Sequence, residues 1–384
     1  MRKVSFIFAF LGFFLMGFGQ TQISNICYSN SVNIFDMLEI SFDVGASYTN
    51  PYDPDVVFIY AVFVSPTNEH QHVNAFYYEG YNFTEVYSND HDDTYEQAVS
   101  NGDNGWRIRF TPNSAGNWSF VIYGIDANGN MQVQGSLYNT FTCNSVSNTN
   151  GFISKANNRF LKREVVKDGQ KKYESFFPVG PNVAWYDCLD YNSYQLPKGI
   201  YQYEKYIDSL SGNANYMRIF LSRYQSLSLY GPEYTQNVNE VPTVYFDSTI
   251  NQKDAAELDY IVNYALQHNV TIMPCIFNHA DFRHTNYDPN DVWVWGNNPF
   301  NSFGWSAPSV FFTDNNAKRI AKNLIRYIVS RWGFATNIVS WELWNEVDNV
   351  YARKLDVQKY FELNVKNWHN EMADYIRDID PFNH

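Results

Sequence analysis

The sequence is poor in cysteine and in positive charge, and both shortages exclude classes of protein. Its 384 residues include 4 cysteines, and 27 Lys and Arg against 40 Asp and Glu give a net charge of −13. The cysteines have no zinc-site spacing. Because no basic stretch could neutralise phosphates, we expect no nucleic acid partner. We also expect no metal and no organic cofactor.

Apolar runs long enough to enter a membrane are lacking beyond the amino terminus. Met1-Arg2-Lys3 precedes a nearly continuous apolar run over 4–19, which predicts a secretory signal peptide over residues 1–19 and a secreted or periplasmic protein. The alternative is a membrane anchor, but the run is shorter than the roughly 20 residues that span a bilayer. After cleavage we expect no stable membrane insertion. In an oxidising compartment Cys27 and Cys143 are candidates for a disulfide.

Aromatic residues, by contrast, are abundant, with 30 Tyr, 30 Phe and 10 Trp. Their flat faces suit the rings of sugars as well as the packing of a core. The plainer interpretation, packing within β-structure, accounts for most of them.

The pattern of short strands and turns predicts a β-sandwich over residues 23–144. The run over 56–64 is strongly apolar, and residues 106–110 alternate apolar with basic side chains. Residues 145–158 are rich in Asn and Ser, which is typical of a linker. A hairpin with its turn at Asp168-Gly169 is predicted next, over 160–177.

Residues 159–384 alternate strands with helices, which indicates parallel strands joined by helical crossovers. We predict strands over 176–185, 216–221, 270–277 and 337–344, and helices over 198–211, 252–268, 317–332 and 356–379. The expected fold is therefore multidomain: an all-β immunoglobulin-like sandwich, then an α/β domain containing about the first four units of a (β/α)8 TIM barrel.

The stretch Val339 to Asp348, VSWELWNEVD, ends an apolar strand with a carboxamide beside a carboxylate. Residues at the carboxyl ends of barrel strands face the active site. Strict alternation places Glu342, Trp344 and Glu346 on one face, so Asn345 requires local twisting to point inward as well.

Trp341-Glu342-Leu343-Trp344-Asn345-Glu346 resembles the Asn-Glu motif that closes the fourth strand of clan A glycoside hydrolases, the cellulase and β-mannanase superfamily. The resemblance implies that Glu346 is the general acid/base and that Asn345 hydrogen-bonds a sugar 2-hydroxyl. The alternative for Glu346 is a solvated loop carboxylate.

Two further stretches agree with this resemblance. Residues 177–185, FPVGPNVAW, are similar to the family's first strand, and Arg218 matches its second-strand arginine, which supports the nucleophilic carboxylate. A buried arginine requires a charged partner, and we expect Glu342 to be that partner. A purely structural ion pair is the alternative.

Further candidates for sugar binding follow the third strand. Family members often place a sugar-binding histidine near its end, which selects His279. The loop over 282–312 contains several aromatic residues, of which Trp295 and Trp305 are our candidates for stacking on sugars. Local packing is the alternative for both tryptophans, and a structural or merely exposed role for His279.

The first domain also carries a resemblance. Residues 106–112, WRIRFTP, and 115–118, AGNW, are similar to an immunoglobulin-like module of the DUF5060 type, which precedes glycosidase barrels. Such a module would either bind glycan or brace the barrel.

Together these features predict a glycoside hydrolase that acts on a β-linked polysaccharide by retaining double displacement. That mechanism needs two carboxylates about 5–5.5 Å apart. In the family the nucleophile is a Glu that ends the seventh strand, and 1–384 reaches only the fourth strand–helix unit. We therefore expect the nucleophile to be missing from this chain, which alone would be inactive. The alternatives are a non-catalytic carbohydrate-binding protein and a structural surface protein.

Overall fold

The computed structural model describes residues 23–129, 131–133, 138–189, 196–222, 227–230, 249–282, 295, 298, 300, 307–350 and 355–384. The predicted signal peptide over residues 1–19 lies outside the described residues. Among the helices described, none is both long and apolar enough to span a bilayer.

In the first part of the chain, the residues that the structure describes form ten strands in two sheets. The strands are β1 (Ile23–Cys27), β2 (Ser31–Asn33), β3 (Leu38–Val44), β4 (Val57–Val64), β5 (His70–Asn74), β6 (Phe76–Ser88), β7 (Asp93–Phe110), β8 (Gly116–Asp126), β9 (Met131–Val133) and β10 (Asn139–Asn144). One sheet has the order β1-β3-β7-β6. The other has the order β2-β10-β8-β4-β5, with β9 paired to β8.

The two sheets enclose one hydrophobic core. Along β4 every second residue is buried, so Val57, Ile59, Ala61 and Phe63 face inward. The Phe63 ring stacks on Phe110 of the opposite sheet with their centroids 4.0 Å apart. The packing of one sheet on the other follows directly from the period-2 alternation of these strands.

The segment predicted as a linker contains a strand. β11 (Asn148–Lys155) pairs with β12 (Leu161–Lys167), which pairs with β13 (Gln170–Phe176). Phe152 and Ile153 are buried although their neighbours are polar. The linker prediction over 145–158 is thus wrong for these residues, because two apolar side chains and pairing with β12 outweigh an Asn-rich composition.

The remainder is an α/β unit. Its strands are β14 (Asn182–Ala184), β15 (Cys188–Leu189), β16 (Leu196–Pro197), β17 (Tyr216–Phe220), β18 (Thr271–Asn278) and β19 (Glu342–Asn345). Its helices are α1 (Gly199–Leu210), α2 (Gln252–Gln267), α3 (Asn315–Trp332) and α4 (Leu355–Ile379), with short 3-10 turns at His279–Phe282, Pro308–Phe312 and Val347–Val350.

Strands β14, β17, β18 and β19 form a parallel sheet in that order. This is the pairing expected for the first four strands of a barrel. The predicted first strand, 176–185, is shortened to Asn182–Ala184. The predicted fourth strand, 337–344, begins instead at Glu342, after an isolated bridge between Ile338 and Ile272.

Three of the helix starts, those of α1, α2 and α3, are capped by side chains, one of them from the sandwich. Asp314 accepts a hydrogen bond from the Ala317 backbone N–H at 2.9 Å at the start of α3, as a local N-cap does. Helix α1 is capped instead by Glu96 of β7, which accepts from the Ile200 N–H at 2.7 Å. A Cβ at Gly199, whose φ is +52°, would lie 2.1 Å from that carboxylate, so glycine is required there.

A buried ion cluster joins the sandwich to the α/β unit. Asp259 of α2 accepts from Arg109 of β7 at 2.6 and 2.9 Å and from Arg331 of α3 at 2.8 Å. Trp332 adds a hydrogen bond at 2.8 Å. Burial opposes ionisation of this carboxylate, but the two arginines prevail and lower its pKa to about 2.

The candidate disulfide between Cys27 and Cys143 does not form, since both thiols are free. Cys27 lies on β1 of one sheet, opposite Ser41, and Cys143 lies on β10 of the other sheet, opposite Val32. Each cysteine lies near one end of the domain in sequence, but the two strands belong to different sheets, so the thiols do not pair.

Candidate active site

Polar side chains from neighbouring parallel strands meet in one hydrogen-bonded set at the carboxyl end of the sheet. β17 contributes Arg218, β18 contributes Asn278 and is followed by His279, and β19 contributes Glu342 and Asn345. Parallel strands bring their ends to one edge, so residues up to 127 positions apart become neighbours. We call this set the strand-end site.

Arg218 and Glu342 form a two-point ion pair. The guanidinium Nε and Nη2 each donate to a different carboxylate oxygen of Glu342 at 2.5 Å, in the fork geometry that suits arginine. Burial works against the charge of Arg218, but the bonds to Glu342 prevail and its pKa is raised. The predicted partner of Arg218 is confirmed, and the charge of this half-buried side chain is balanced.

Asn345 is held by three neighbours. Its Oδ1 accepts from Arg218 Nη2 at 2.9 Å, while its Nδ2 lies 3.2 Å from Asn278 Oδ1 and 3.4 Å from His279 Nδ1. Arg218 thereby contacts both Glu342 and Asn345, which sit three positions apart on β19. The strand twists between them, as the inward orientation of Asn345 requires.

The same twist overturns the prediction that Trp344 shares a face with Glu342. The Trp344 ring lies 5.6 Å from Trp368 of α4 and 5.0 Å from Phe312, on the helix-covered side of the sheet. Burying this large apolar ring among aromatic side chains stabilises the fold, and this burial outweighs the regular alternation of side chains along the strand.

Glu346 follows β19 immediately and has an unusual backbone. Its φ is +50°, a left-handed conformation that is unfavourable for a residue with a Cβ and is concentrated at functional sites. Asn349 holds it from two sides, donating its backbone N–H to the Glu346 carbonyl at 3.0 Å and its Nδ2 to Oε2 at 2.8 Å. The side chain is 58% exposed, so the carboxylate is both oriented and open to an incoming molecule.

His279 completes the set. Its Nδ1 lies 3.6 Å from Glu346 Oε2 and 3.4 Å from Asn345 Nδ2, and its side chain is 15% exposed. The histidine chosen from the sequence therefore lies between the two motif residues.

The two tryptophans predicted to stack on sugars are not part of the strand-end site as described. Trp295 is 4% exposed and its ring packs 5.7 Å from Phe282. The prediction that Trp295 stacks on a sugar is wrong, because the apolar core encloses its ring. The alternative, local packing, describes this residue. Trp305 lies outside the described residues.

Sequence reasoning assigned no role to three asparagines that orient the site. Asn182 accepts from Arg218 Nη1 at 3.2 Å, Asn278 contacts Asn345, and Asn349 orients Glu346. One signal was available: Asn278 is a carboxamide that ends an otherwise apolar strand. The role of Asn349 depends on the turn after β19, for which no local signal exists.

The fold and the site define a class, an α/β sheet with carboxylate and carboxamide groups at its strand ends, preceded by a β-sandwich. Residues 31–123 match the family model described as "Domain of unknown function (DUF5060)", which agrees with the resemblance found in the sandwich sequence.

Several known proteins are similar to the chain. A "Probable mannan endo-1,4-beta-mannosidase F" of Neosartorya fischeri is 24% identical over 245 residues, covering 60% of this chain and 44% of the relative. A solved "putative glycoside hydrolase" from Bacteroides vulgatus aligns with a TM-score of 0.53 and 16% identity over 93% of this chain and 55% of that one. The beta-mannanase of the blue mussel Mytilus edulis aligns with a TM-score of 0.37 and 14% identity, over 61% and 62% of the two chains.

The chain thus spans about half the length of the first two relatives. At 16% identity, the Bacteroides vulgatus structure shows a shared fold, and this fold extends over the sandwich and the parallel sheet together because the alignment covers 93% of the chain.

Proposed function

We propose that residues 23–384 carry one half of the active site of a glycoside hydrolase that cleaves β-linked polysaccharides with retention of configuration. The observation that carries this proposal is the hydrogen-bonded set of Arg218, Asn345 and His279 at the carboxyl end of the parallel sheet, with the Glu346 carboxylate 3.6 Å from His279. The name of the Neosartorya fischeri relative, a mannan endo-1,4-beta-mannosidase, favours β-1,4-mannan as the first substrate to test.

Glu346 is the proposed general acid/base. Its carboxylate is solvent-accessible and oriented by Asn349, as a group that must reach a glycosidic oxygen requires. His279 beside it supplies a second hydrogen-bonding group. A solvated loop carboxylate, the alternative for Glu346, needs neither a left-handed backbone nor two bonds from Asn349.

Asn345 is the proposed contact to a sugar 2-hydroxyl. The carboxamide is turned toward the site by Arg218, Asn278 and His279, and hydrogen bonds to the 2-hydroxyl strengthen in the transition state of glycoside hydrolysis. Arg218 positions it and at the same time neutralises Glu342.

The nucleophile is proposed to come from sequence outside residues 1–384, or from a companion chain. A retaining enzyme needs a second carboxylate about 5–5.5 Å from the first. Glu342 is not assigned this role, because it lies four residues before Glu346 on the same stretch of chain, deeper in the sheet than Glu346 and not across the site from it. Reading the gene past the codon for His384 tests this step, since a further four strand–helix units with a Glu ending the seventh strand are expected.

The decisive experiment is Glu346→Gln in the whole gene product, assayed on β-1,4-mannan and on aryl β-mannosides. We expect hydrolysis of mannan to fall about 10²–10⁴-fold, which is the usual worth of general acid/base catalysis. An aryl glycoside whose leaving group needs no proton should lose much less in its first step. Asp348→Asn, an exposed carboxylate two residues away, is the matched control and should leave kcat near that of the wild type.

Full mannan hydrolysis by Glu346→Gln would contradict the proposed role. If the wild type binds mannan oligosaccharides without cleaving them, the non-catalytic carbohydrate-binding alternative takes its place. We also propose that the protein is secreted or periplasmic, because a polysaccharide too large to enter the cytoplasm has to be hydrolysed outside it.

A further inference from the structure

A second concave site lies on the sandwich, between its first sheet and the start of α2. The cleft has a volume of about 960 Å³ and shares no described lining residue with the strand-end site. Strands β3, β6 and β7 form one wall, and residues 249–252 form the other. The volume falls at the upper end of the range of small-molecule sites, about 300–1,000 Å³.

The lining is rich in aromatic side chains, three of which contact one another. It contains Tyr48, Tyr52, Tyr77, Tyr81 and Trp106. The Tyr77 ring meets Trp106 edge-on at 5.7 Å and Tyr52 edge-on at 5.9 Å. Trp106 and Tyr52 are nearly buried, whereas Tyr48, Tyr77 and Tyr81 are half-buried and retain exposed surface. Rigid rings of this kind give contact area to a ligand at little entropic cost.

The charged groups of the cleft are of one sign. Asp43 and Glu79 line it, and its described lining contains no Lys, Arg or His. Tyr77, Glu79 and Tyr81 alternate along β6, so that a carboxylate sits between two phenol rings on one side of the strand, with a bulge between Glu79 and Tyr81. An anionic ligand would be repelled here, while hydroxyl groups would find strong acceptors.

We propose that this cleft binds a neutral oligosaccharide. Flat aromatic faces match the apolar faces of pyranose rings, and carboxylates accept hydrogen bonds from their hydroxyls. The choice of a sugar over other neutral polyols rests on the proposed glycoside hydrolase function. The sandwich then contributes substrate recognition in addition to bracing the α/β unit.

Isothermal titration of the full chain with β-1,4-mannohexaose, and in parallel with cellohexaose, tests the proposal. We expect the combined variant Tyr81→Ala and Glu79→Gln to raise the Kd for at least one of these sugars by about tenfold or more. The variant removes a ring contact and a charged acceptor. Tyr87→Ala, a tyrosine of the same strand that is 53% exposed and outside the cleft, is the matched control and should leave Kd unchanged. Because Glu79→Gln alone keeps the shape of the side chain, it provides a second reading if the combined variant fails to fold.

An unchanged Kd in the combined variant, or no binding of either neutral sugar, overturns the proposal. Preference for an oligogalacturonate of the same length overturns it as well. Asn345→Ala separates the two sites: if it alone abolishes binding, the cleft proposal fails and the proposed function stands. If the whole gene product hydrolyses no glycan while the cleft variants still weaken binding, the proposed function fails and the cleft proposal stands.

Discussion

The ion cluster around Asp259 should be the most sensitive polar contact between the sandwich and the α/β unit. Asp259→Asn removes the charge that pairs with both Arg331 and Arg109, whose side chains are 0% and 7% exposed, and leaves Glu39 to compensate Arg109. Breaking a buried pair by removing one partner costs about 3–5 kcal/mol. We therefore expect the free energy of unfolding at pH 7 to fall by that amount.

The pH dependence of the free energy of unfolding gives a second, independent value for the contribution of Asp259. The pKa of Asp259 is about 2 in the fold against 3.8 ordinarily, which is equivalent to about 2.5 kcal/mol of preference for the ionised form. Because the folded pKa is the lower one, this contribution is complete above about pH 4–5 and is lost as the pH falls toward 2. The difference between wild type and Asp259→Asn should accordingly shrink by about 1 kcal/mol between pH 7 and pH 3.

Urea unfolding followed by tryptophan fluorescence at both pH values measures these quantities. Trp332 donates to Asp259, so the probe lies at the site of the change. The control is Asp55→Asn, a carboxylate 68% exposed in an ion pair with Arg319, which should cost less than about 1 kcal/mol. A loss below 1 kcal/mol for Asp259→Asn, or a loss that does not vary with pH, would refute the reasoning.

Two further predictions concern the sandwich. In the folded protein Cys27 should react with iodoacetamide at pH 8 and Cys143 should not, because Cys143 is buried and burial together with Asp36 raises its pKa to about 12; peptide mass spectrometry reads this out, and a Cys27–Cys143 cross-link would contradict it. Phe63→Ala should lower the free energy of unfolding by about 3–5 kcal/mol, since its fully buried ring stacks on the opposite sheet. Phe160→Ala, 59% exposed, should cost less than about 1 kcal/mol in the same urea titration.

Elements with strong local signals were predictable. Helices α2 and α3 begin within two residues of the predicted positions, because apolar periodicity and an N-cap asparagine or aspartate are properties of neighbouring residues. The hairpin at Asp168-Gly169 was also predictable from neighbouring residues. An Asp-Gly pair favours a turn in which both residues adopt a positive φ, as they do here.

Pairing between distant segments was not predictable in this way. Strand β11 was read as a linker because its stability depends on β12 and on two buried side chains. The Cys27–Cys143 pairing failed because the sheet that each strand joins is a tertiary property.

For the strand-end site, the motif and its resemblance selected Glu346, Asn345, Arg218 and His279, and the fold places these side chains together. Alternation along β19 misplaced Trp344, because a twist of the strand depends on the aromatic side chains packed behind it.

The amino-acid sequence was sufficient for most of the helices and strands other than β11, and for the motif at the end of β19, since these are set by residues close together in the chain. The tertiary structure alone decided which polar groups meet. Arg109, Asp259 and Arg331 are 150 and 72 positions apart in sequence and share one carboxylate, and the sandwich cleft takes its walls from segments of comparable separation. Hydrogen bonds and clefts depend on distances in space, and those distances exist only after the strands have paired and the sandwich has packed against α2 and α3.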